Sequence, residues 1–99
     1  MTDINGALSG LKIVACSTAQ AGTVPYMLMA DLGAEVIKIE TPGKGDMNRK
    51  SGYLMGSTGS FFETNNRGVK SLTLNLKSQK GQKILHDLIK DADIFGQNF

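Results

Sequence analysis

Cysteine, tryptophan and proline are scarce in this sequence of 99 residues, which has one cysteine, no tryptophan and two prolines. A single cysteine excludes a disulfide within the chain and a metal cluster built from several thiolates. Chains of this kind are typical of a reducing compartment, so we expect a cytoplasmic protein that holds no metal ion.

Long apolar runs and a strong excess of one charge are also missing. The apolar stretches are short and the first ten residues lack the layout of a signal peptide, so we expect no membrane partner. Eleven basic against nine acidic residues leave a net charge of +2, too little for a dedicated nucleic-acid binder. Apolar residues make up 40% of the chain, which suits one modest globular domain over residues 1–99.

The first part of the chain alternates between strand and helix patterns. Residues 11–16 (LKIVAC) form a short β-branched run that predicts a strand. Pro25 stands where helices often begin, residues 26–32 are good helix formers, and Gly33 suits a left-handed cap. Residues 35–40 (EVIKIE) predict a second strand, which completes a βαβ unit with a parallel pair.

The second part repeats this alternation after a long glycine-rich stretch. Residues 41–59 contain five glycines and no sustained period, and we interpret them as a surface loop. Residues 71–76 (SLTLNL) alternate between polar residues and leucine, which predicts a strand with one buried face. Ser78 suits the N-cap of an amphipathic helix with an apolar stripe over residues 84–92, and residues 93–99 begin a fourth strand.

This order of elements, β-α-β-loop-β-α-β, predicts an α/β fold with a Rossmann-like parallel sheet. Such sheets bind ligands beyond the carboxyl ends of their strands. The candidate site therefore lies in the loops after Cys16, Glu40 and Leu76, and at residues 97–99.

The loop after the first strand lacks the glycines of a dinucleotide-binding fingerprint. The pattern G-x-G-x-x-G is needed there, but only Gly22 is present, and no Walker motif follows any strand. Glu40 ends the second strand, where a ribose-binding acid would lie, but without the glycines it supports a nicotinamide site only weakly. Gln20 either binds a ligand amide or carbonyl, or ties down its own loop.

Other reactive residue types do not form a catalytic group in the sequence. The glycine-flanked turn around Lys44 either binds an anion or is a solvated turn. Cys16 is expected to be a core thiol, because it ends a buried strand, and His86 a helix-edge residue without a metal-spaced partner. The residues alone therefore show no catalytic constellation.

Six sequence segments in a fixed order carry a family resemblance. They are residues 8–15 (LSGLKIVA), 21–22 (AG), 30–40 (ADLGAEVIKIE), 42–46 (PGKGD), 66–77 (NRGVKSLTLNLK) and 92–99 (ADIFGQNF). Together they resemble the family III CoA-transferases, a group that includes formyl-CoA transferase, carnitine CoA-transferases and α-methylacyl-CoA racemase. Several motifs in order are more specific than any single one.

The resemblance implies a fold and an activity. Enzymes of this family are several times longer, begin with an incomplete Rossmann-like unit that binds coenzyme A, and form interlocked dimers. The transferases move CoA from an acyl-CoA to a carboxylic acid through an aspartyl-CoA thioester. No aspartate of this chain matches the nucleophile's motif, which lies well beyond Phe99, so no catalytic residue is expected here. The chain alone is expected to be inactive.

The resemblance also places CoA contacts on this chain. Gln20 and Ala21 match the loop beside the thioester end. Thr41 matches a position where some members place an arginine near the adenine, and Lys44 is a substitute cation. Lys77 is placed to meet a phosphate. The full set of matched residues is Gln20, Ala21, Thr41, Leu74, Asn75, Leu76, Lys77, Gln97, Asn98 and Phe99.

Two other functions remain open. A racemase of the same family would move a proton next to the thioester, and a non-catalytic binding or assembly module would have the same Rossmann-like shape. A sheet edge left open after the fourth strand also predicts association with a second copy or with the rest of an enzyme.

Overall fold

Four parallel strands form the central sheet of the computed structural model, which describes residues 6–19, 21–56 and 58–99. They are β1 (Lys12–Cys16), β2 (Glu35–Glu40), β5 (Lys70–Thr73) and β6 (Ile94–Gln97). The strands lie in the order β5-β2-β1-β6, and each neighbouring pair is parallel. This confirms the predicted α/β fold with a Rossmann-like sheet.

Two helices connect these strands, α1 (Val24–Asp31) and α3 (Gln79–Lys90). Pro25 lies in the first turn of α1, where its missing N–H is not needed. Gly33 follows α1 with a φ of +106°, which confirms the predicted left-handed cap. At the start of α3, the Ser78 hydroxyl oxygen accepts a hydrogen bond of 3.0 Å from the Gly81 N–H, as the sequence predicted.

Alternating side chains of the strands fill a core on each face of the sheet. On one face, Val14 and Ile39 pack against Leu85 and Leu88 of α3. On the opposite face, Ile13 and its neighbours pack against α1 residues. Because both faces are covered by helices, the strands are apolar on both sides and only their ends and edges remain for ligands or partners.

The interpretation of residues 41–59 as a plain loop was wrong. This stretch contains a 3₁₀ helix (Met47–Lys50) and an antiparallel pair of two-residue strands, β3 (Leu54–Met55) and β4 (Thr58–Gly59). A further helix, α2 (Ser60–Asn65), follows directly and was not predicted. These elements are too short to show a hydrophobic period, which explains why the pattern missed them.

The third strand of the sheet also ends earlier than predicted, at Thr73 rather than Leu76. Asn75 turns the chain away from the sheet, because its side-chain oxygen accepts a hydrogen bond of 3.1 Å from the Lys77 N–H. The Asn75 carbonyl oxygen then accepts from the Ser78 N–H at 3.1 Å, which leads directly into α3. The buried face was predicted correctly, since Leu74 is only 7% exposed.

Residues 6–19, 21–56 and 58–99 contain neither a candidate membrane span nor a candidate metal-binding group. No helix there has the length and apolar character needed to cross a bilayer. No three His, Cys, Asp or Glu side chains in that part of the chain are grouped so that they would hold a metal ion.

Candidate functional site at the carboxyl ends of the strands

The ends of β1 and β6 lie side by side where the strand order reverses. From β1 the chain moves outward to β2 and β5, and then returns to the other side of β1 as β6. Folds of this type bind ligands in the crevice at such a reversal. Ser17 and Thr18 follow β1, and Asn98 and Phe99 follow β6, so these residues flank the crevice.

A pocket of about 200 Å³ opens at this edge of the sheet, and we call it the apolar pocket. It includes Ile39 and Leu74 from the core, whereas the side chains of Met47 and Phe99 are largely open to solvent. The complete lining consists of Ser17, Thr18, Ile39, Glu40, Thr41, Gly45, Met47, Leu74, Leu76 and Phe99.

A polar pocket of about 250 Å³ adjoins it, and we call it the cationic notch. Lys44 and Arg49 supply its cations, and hydroxyl groups complete the lining together with backbone. The lining is formed by Glu40, Thr41, Gly43, Lys44, Gly45, Arg49, Ser71 and Thr73. Glu40, Thr41 and Gly45 line both pockets, so these three residues form a shared wall.

The side chain of Asn98 joins the ends of β1 and β6. Its Nδ2 donates a hydrogen bond of 2.9 Å to the Thr18 carbonyl oxygen, and its Oδ1 accepts one of 3.0 Å from the Thr18 N–H. Gly22 packs against this pair, and a Cβ there would lie 2.5 Å from the Thr18 carbonyl oxygen and 2.7 Å from Asn98 Nδ2. Both the oxygen and the nitrogen of the Asn98 amide therefore bind the Thr18 backbone and hold the ends of β1 and β6 next to each other.

The carboxylate of Glu40 is surrounded by hydrogen-bond donors. Arg49 donates to both oxygens, from Nε at 2.7 Å and from Nη2 at 2.6 Å. The Ser71 hydroxyl donates at 2.6 Å and the Asp46 N–H at 2.7 Å. Burial by itself raises the pKa of Glu40, but these donors outweigh it and lower that pKa to about 2. Because its oxygens are already engaged, Glu40 is not available for a ribose, contrary to the weak nicotinamide hypothesis.

A second ion pair joins Lys38 and Asp46. The two side chains are almost completely buried, and the Lys38 ammonium donates to Asp46 Oδ2 and also to Asn66 Oδ1, the latter at 2.9 Å. Asp46 Oδ1 accepts from the Asn48 N–H at 2.8 Å and so caps the 3₁₀ helix. The pair therefore fixes the start of the 3₁₀ helix beneath the shared wall.

The aromatic ring of Phe62 lies against the cationic groups of Arg49 and Lys38. The guanidinium carbon of Arg49 is 3.9 Å from the centroid of the Phe62 ring, and the Lys38 ammonium is 5.5 Å from it. Phe62 belongs to α2, so this contact connects α2 to the two ion pairs. We call the group of Lys38, Glu40, Asp46, Arg49 and Phe62 the ion cluster.

The structure brings four of the residues predicted as CoA contacts into the lining of the apolar pocket. They come from three different loops, and they are Thr41, Leu74, Leu76 and Phe99. Their convergence follows from the parallel sheet, which places the carboxyl ends of its strands at one edge.

The other predicted contacts that the structure describes do not line the apolar pocket. Asn75 is engaged with the Lys77 N–H, and Gln97 Oε1 accepts a hydrogen bond of 2.7 Å from the Phe99 N–H. Lys77 is exposed at the start of the connection to α3, and Ala21 is exposed next to Gly22. Asn98 has the bridging role described above. Gln20 lies outside the described residues.

Several lining residues were not predicted as contacts. Ser17 and Thr18 directly follow β1, and the rule that ligands bind at strand ends was a signal that pointed to them. Gly45 and Met47 had no such signal, because they reach the pocket through the fold of residues 41–50. Arg49 had no such signal either, because several other lysines and arginines lie near it in the sequence.

The two remaining reactive side chains behave as the sequence predicted. Cys16 is 1% exposed within the core, and burial raises the pKa of its thiol, so it is a structural residue. His86 is exposed on α3, away from both pockets.

Comparison with known proteins shows similarity over nearly the whole chain. It is 40% identical over 93 residues to human succinyl-CoA:glutarate CoA-transferase, covering 93% of this chain and 21% of that protein. It is 35% identical over 94 residues to acetyl-CoA:oxalate CoA-transferase of Acetobacter aceti, covering 95% and 24%. A crystal structure of a CAIB/BAIF family protein from Brucella suis superposes with a TM-score of 0.89 at 33% identity, covering 97% and 26%.

The chain thus spans about a quarter of the length of the relatives it matches. The family profile described as CoA-transferase family III matches residues 8–99, which include every strand of the sheet and both pockets. This chain therefore belongs to CoA-transferase family III.

Proposed function

We propose that residues 1–99 form the CoA-binding segment of an acyl-CoA:carboxylate CoA-transferase. The observation that carries the proposal is the joining of the apolar pocket to the cationic notch through a shared wall of Glu40, Thr41 and Gly45. CoA likewise has two different parts, an uncharged pantetheine chain that suits the apolar pocket and a nucleotide whose phosphates suit the cationic notch. A ligand of this kind needs both environments side by side.

The two ends of CoA suit different residues. The pantetheine chain is proposed to run along Leu74, Leu76 and Phe99 in the apolar pocket. The phosphorylated nucleotide is proposed to lie at the notch, where Lys44 supplies the cation because Arg49 is committed to Glu40. Lys77, exposed after Leu76, is proposed as a further point charge for a phosphate.

The remaining matched positions complete this arrangement. Gln20 and Ala21 are proposed to lie beside the thioester end. The turn of Asn75 and the pairing of Gln97 with the Phe99 N–H are proposed to shape the backbone along the ligand. Asn98 is proposed to act through its hold on Thr18 rather than through a direct contact.

The proposed reaction uses an aspartate carboxylate outside this segment as nucleophile. It attacks the thioester carbonyl of the donor acyl-CoA, which breaks the C–S bond and gives a mixed anhydride and CoA thiolate. The thiolate then attacks the aspartyl carbonyl, releasing the donor acid and forming an aspartyl-CoA thioester. The acceptor carboxylate attacks this thioester, and the freed thiolate takes the acceptor acyl group and regenerates the aspartate.

This segment would hold CoA in place during both transfers. Its relatives are named for acyl-CoA donors and for acceptors such as glutarate and oxalate, so we propose a small carboxylic acid as the acceptor. We further propose a cytoplasmic enzyme that acts as a homodimer, in which the 99-residue segment alone is inactive.

Isothermal titration with CoA tests the proposal. Saturable binding at micromolar to millimolar CoA by the folded chain, or by the longer polypeptide that carries it, supports it. Folded protein that gives no heat at millimolar CoA would contradict it. Saturable CoA binding without transfer by the longer polypeptide would instead indicate a binding module.

The racemase alternative is separated by a different measurement. The longer polypeptide is incubated with a chiral acyl-CoA and a carboxylic acid in deuterated water. A transferase gives a new acyl-CoA without label next to the carbonyl, whereas a racemase places deuterium at that carbon without acyl exchange.

A further inference from the structure

The ion cluster shares Glu40 with the shared wall and lies against Gly45, although the proposed reaction uses none of its side chains. Gly45 has a φ of +67°, and a Cβ there would clash with the Glu40 carboxylate and lie 2.9 Å from Arg49 Nε. The Glu40–Arg49 pair therefore leaves no room for a side chain at position 45, and Gly45 lies close against the pair.

The next residue along the chain is fixed by the same cluster. The Asp46 N–H donates to Glu40 Oε2 at 2.7 Å, while the Asp46 carboxylate is paired with Lys38. Gly45 and Met47, on either side of Asp46, both line the apolar pocket. The cluster thus holds two lining residues through the single residue between them.

The cluster also reaches a helix that lines neither pocket. Phe62 of α2 lies face-on to the Arg49 guanidinium at 3.9 Å, and its carbonyl oxygen accepts a hydrogen bond of 3.0 Å from Asn66 Nδ2. Asn66 Oδ1 in turn accepts from Lys38. The geometry of Arg49 is therefore set from one side by Glu40 and from the other by α2.

We propose that Arg49 is a positioning residue for CoA, which holds the shared wall in its binding shape through its two hydrogen bonds to Glu40. Phe62 supports Arg49 by packing its ring against the guanidinium group. This inference rests on the proposed function, because it concerns the affinity of the same site. It also assigns a part in CoA affinity to α2, a helix that lines neither pocket.

The substitution Arg49→Lys separates charge from geometry. Lysine keeps the positive charge beside Glu40 but loses the planar, two-point contact and the stacking on Phe62. We expect CoA to bind about tenfold more weakly, because in the variant the shared wall would have to become ordered when CoA binds. In the longer polypeptide, KM for acyl-CoA should rise by about the same factor while kcat changes less than about twofold.

Arg67 offers a matched control on the surface. It forms the same two-point contact with Asp31, with Nε at 3.0 Å and Nη2 at 2.5 Å, but neither residue lines either pocket. Arg67→Lys therefore repeats the chemical change without touching the wall. We expect its CoA affinity to equal that of the unsubstituted protein.

A measurement without CoA tests the positioning directly. In Arg49→Lys, amide hydrogen exchange should speed up at Asp46, whose N–H donates to Glu40, while the amides of β1 keep their protection. A thermal unfolding curve shows that the variant is folded at the temperature of the titration. Phe62→Leu removes the ring from the other side, and we expect the same pattern with a smaller loss of affinity.

The outcomes distinguish this inference from the proposed function. If the unsubstituted protein binds no CoA, both fail. If it binds CoA and folded Arg49→Lys binds equally well, the positioning role is overturned and the CoA site stands. Equal losses in Arg49→Lys and Arg67→Lys, or exchange that speeds up throughout the sheet, would show a merely structural effect and also overturn it.

Discussion

Asn98 and Thr18, which are eighty positions apart in the chain, are joined by two hydrogen bonds of 2.9 and 3.0 Å between the side-chain amide of Asn98 and the backbone N–H and carbonyl of Thr18. This contact connects the first and last strands of the sheet at the point where a ligand crevice is expected. It gives Asn98 a definite structural task, which a motif match alone did not specify.

Asn98→Asp should weaken this contact. A carboxylate accepts from the Thr18 N–H but has no donor for the Thr18 carbonyl oxygen, so two oxygens would face each other. We expect a loss of about 1 kcal/mol in the free energy of unfolding, and weaker CoA binding. Urea denaturation and calorimetric titration measure the two effects, and an unchanged unfolding midpoint would refute the bridging role.

Gly22→Ala should disturb the same contact from the other side. The added Cβ would lie 2.5 Å from the Thr18 carbonyl oxygen, which is backbone and cannot move away cheaply. We expect the free energy of unfolding to fall by about 1 to 3 kcal/mol. Gly43→Ala removes another glycine, but there the Cβ meets no atom within 4 Å and only the φ of +87° is unfavourable. The larger loss should therefore come from Gly22→Ala in chemical denaturation.

Acid should remove the contribution of Glu40 to stability. Its pKa is lowered from an ordinary value of 4.5 to about 2, so its stabilising effect is complete above pH 4.5. The effect is lost as the pH falls from 4.5 through about 2, and a shift of this size corresponds to roughly 3 kcal/mol. The measurement is the free energy of unfolding of the unsubstituted protein and of Glu40→Gln between pH 6 and pH 2.

The difference between these two proteins should be largest above pH 4.5 and should shrink toward pH 2. Glu35→Gln is the control, because Glu35 pairs with Lys70 at 3.0 Å on the surface. That variant should stay close to the unsubstituted protein throughout. A difference between the Glu40→Gln and unsubstituted proteins that does not depend on pH would contradict the role assigned to the carboxylate.

The buried pair of Lys38 and Asp46 should be sensitive to the loss of one partner. Lys38→Met fits an apolar strand but leaves the Asp46 charge buried without its ammonium partner. We expect a loss of about 3 to 5 kcal/mol in the free energy of unfolding. Lys70→Met breaks the exposed pair with Glu35 on the neighbouring strand and should change stability little. Equal losses in the free energy of unfolding from the two substitutions would show that the buried pair contributes no more to stability than the exposed one.

The central strands and helices were predictable because their signals are local. Residues 35–40 (EVIKIE) form a strand with the predicted bounds, since the β-branched Val36, Ile37 and Ile39 suit a sheet covered on both faces. Ser78 and the apolar stripe over residues 84–92 likewise predicted α3, because a helix cap and an amphipathic face depend only on residues that are close together in the sequence.

The ion cluster was not predictable from the same sequence. Lys38 lies in the middle of a buried strand, and only the return of Asp46 and Asn66 to the same face explains how its charge is satisfied. Arg49 looked like one of several scattered cations, because its partner Glu40 is nine positions away across an irregular turn. Contacts of this kind depend on tertiary structure, which no local pattern specifies.

The candidate site falls between these two cases. The sequence located the strand ends, and Thr41, Leu74, Leu76 and Phe99 do meet there. It did not show that Met47 completes the lining, because that depends on how residues 41–50 fold back over the sheet.

The most direct test of the account is to map CoA onto the chain by the changes it causes in backbone amide resonances. We expect the largest changes at Thr18, Gly45, Met47 and Leu76, at the carboxyl ends of the strands. Another pocket, of about 130 Å³, lies at the opposite end of the strands between Lys12, Glu35 and Leu88. Changes centred on that pocket, with the carboxyl ends unaffected at saturating CoA, would contradict the central claim.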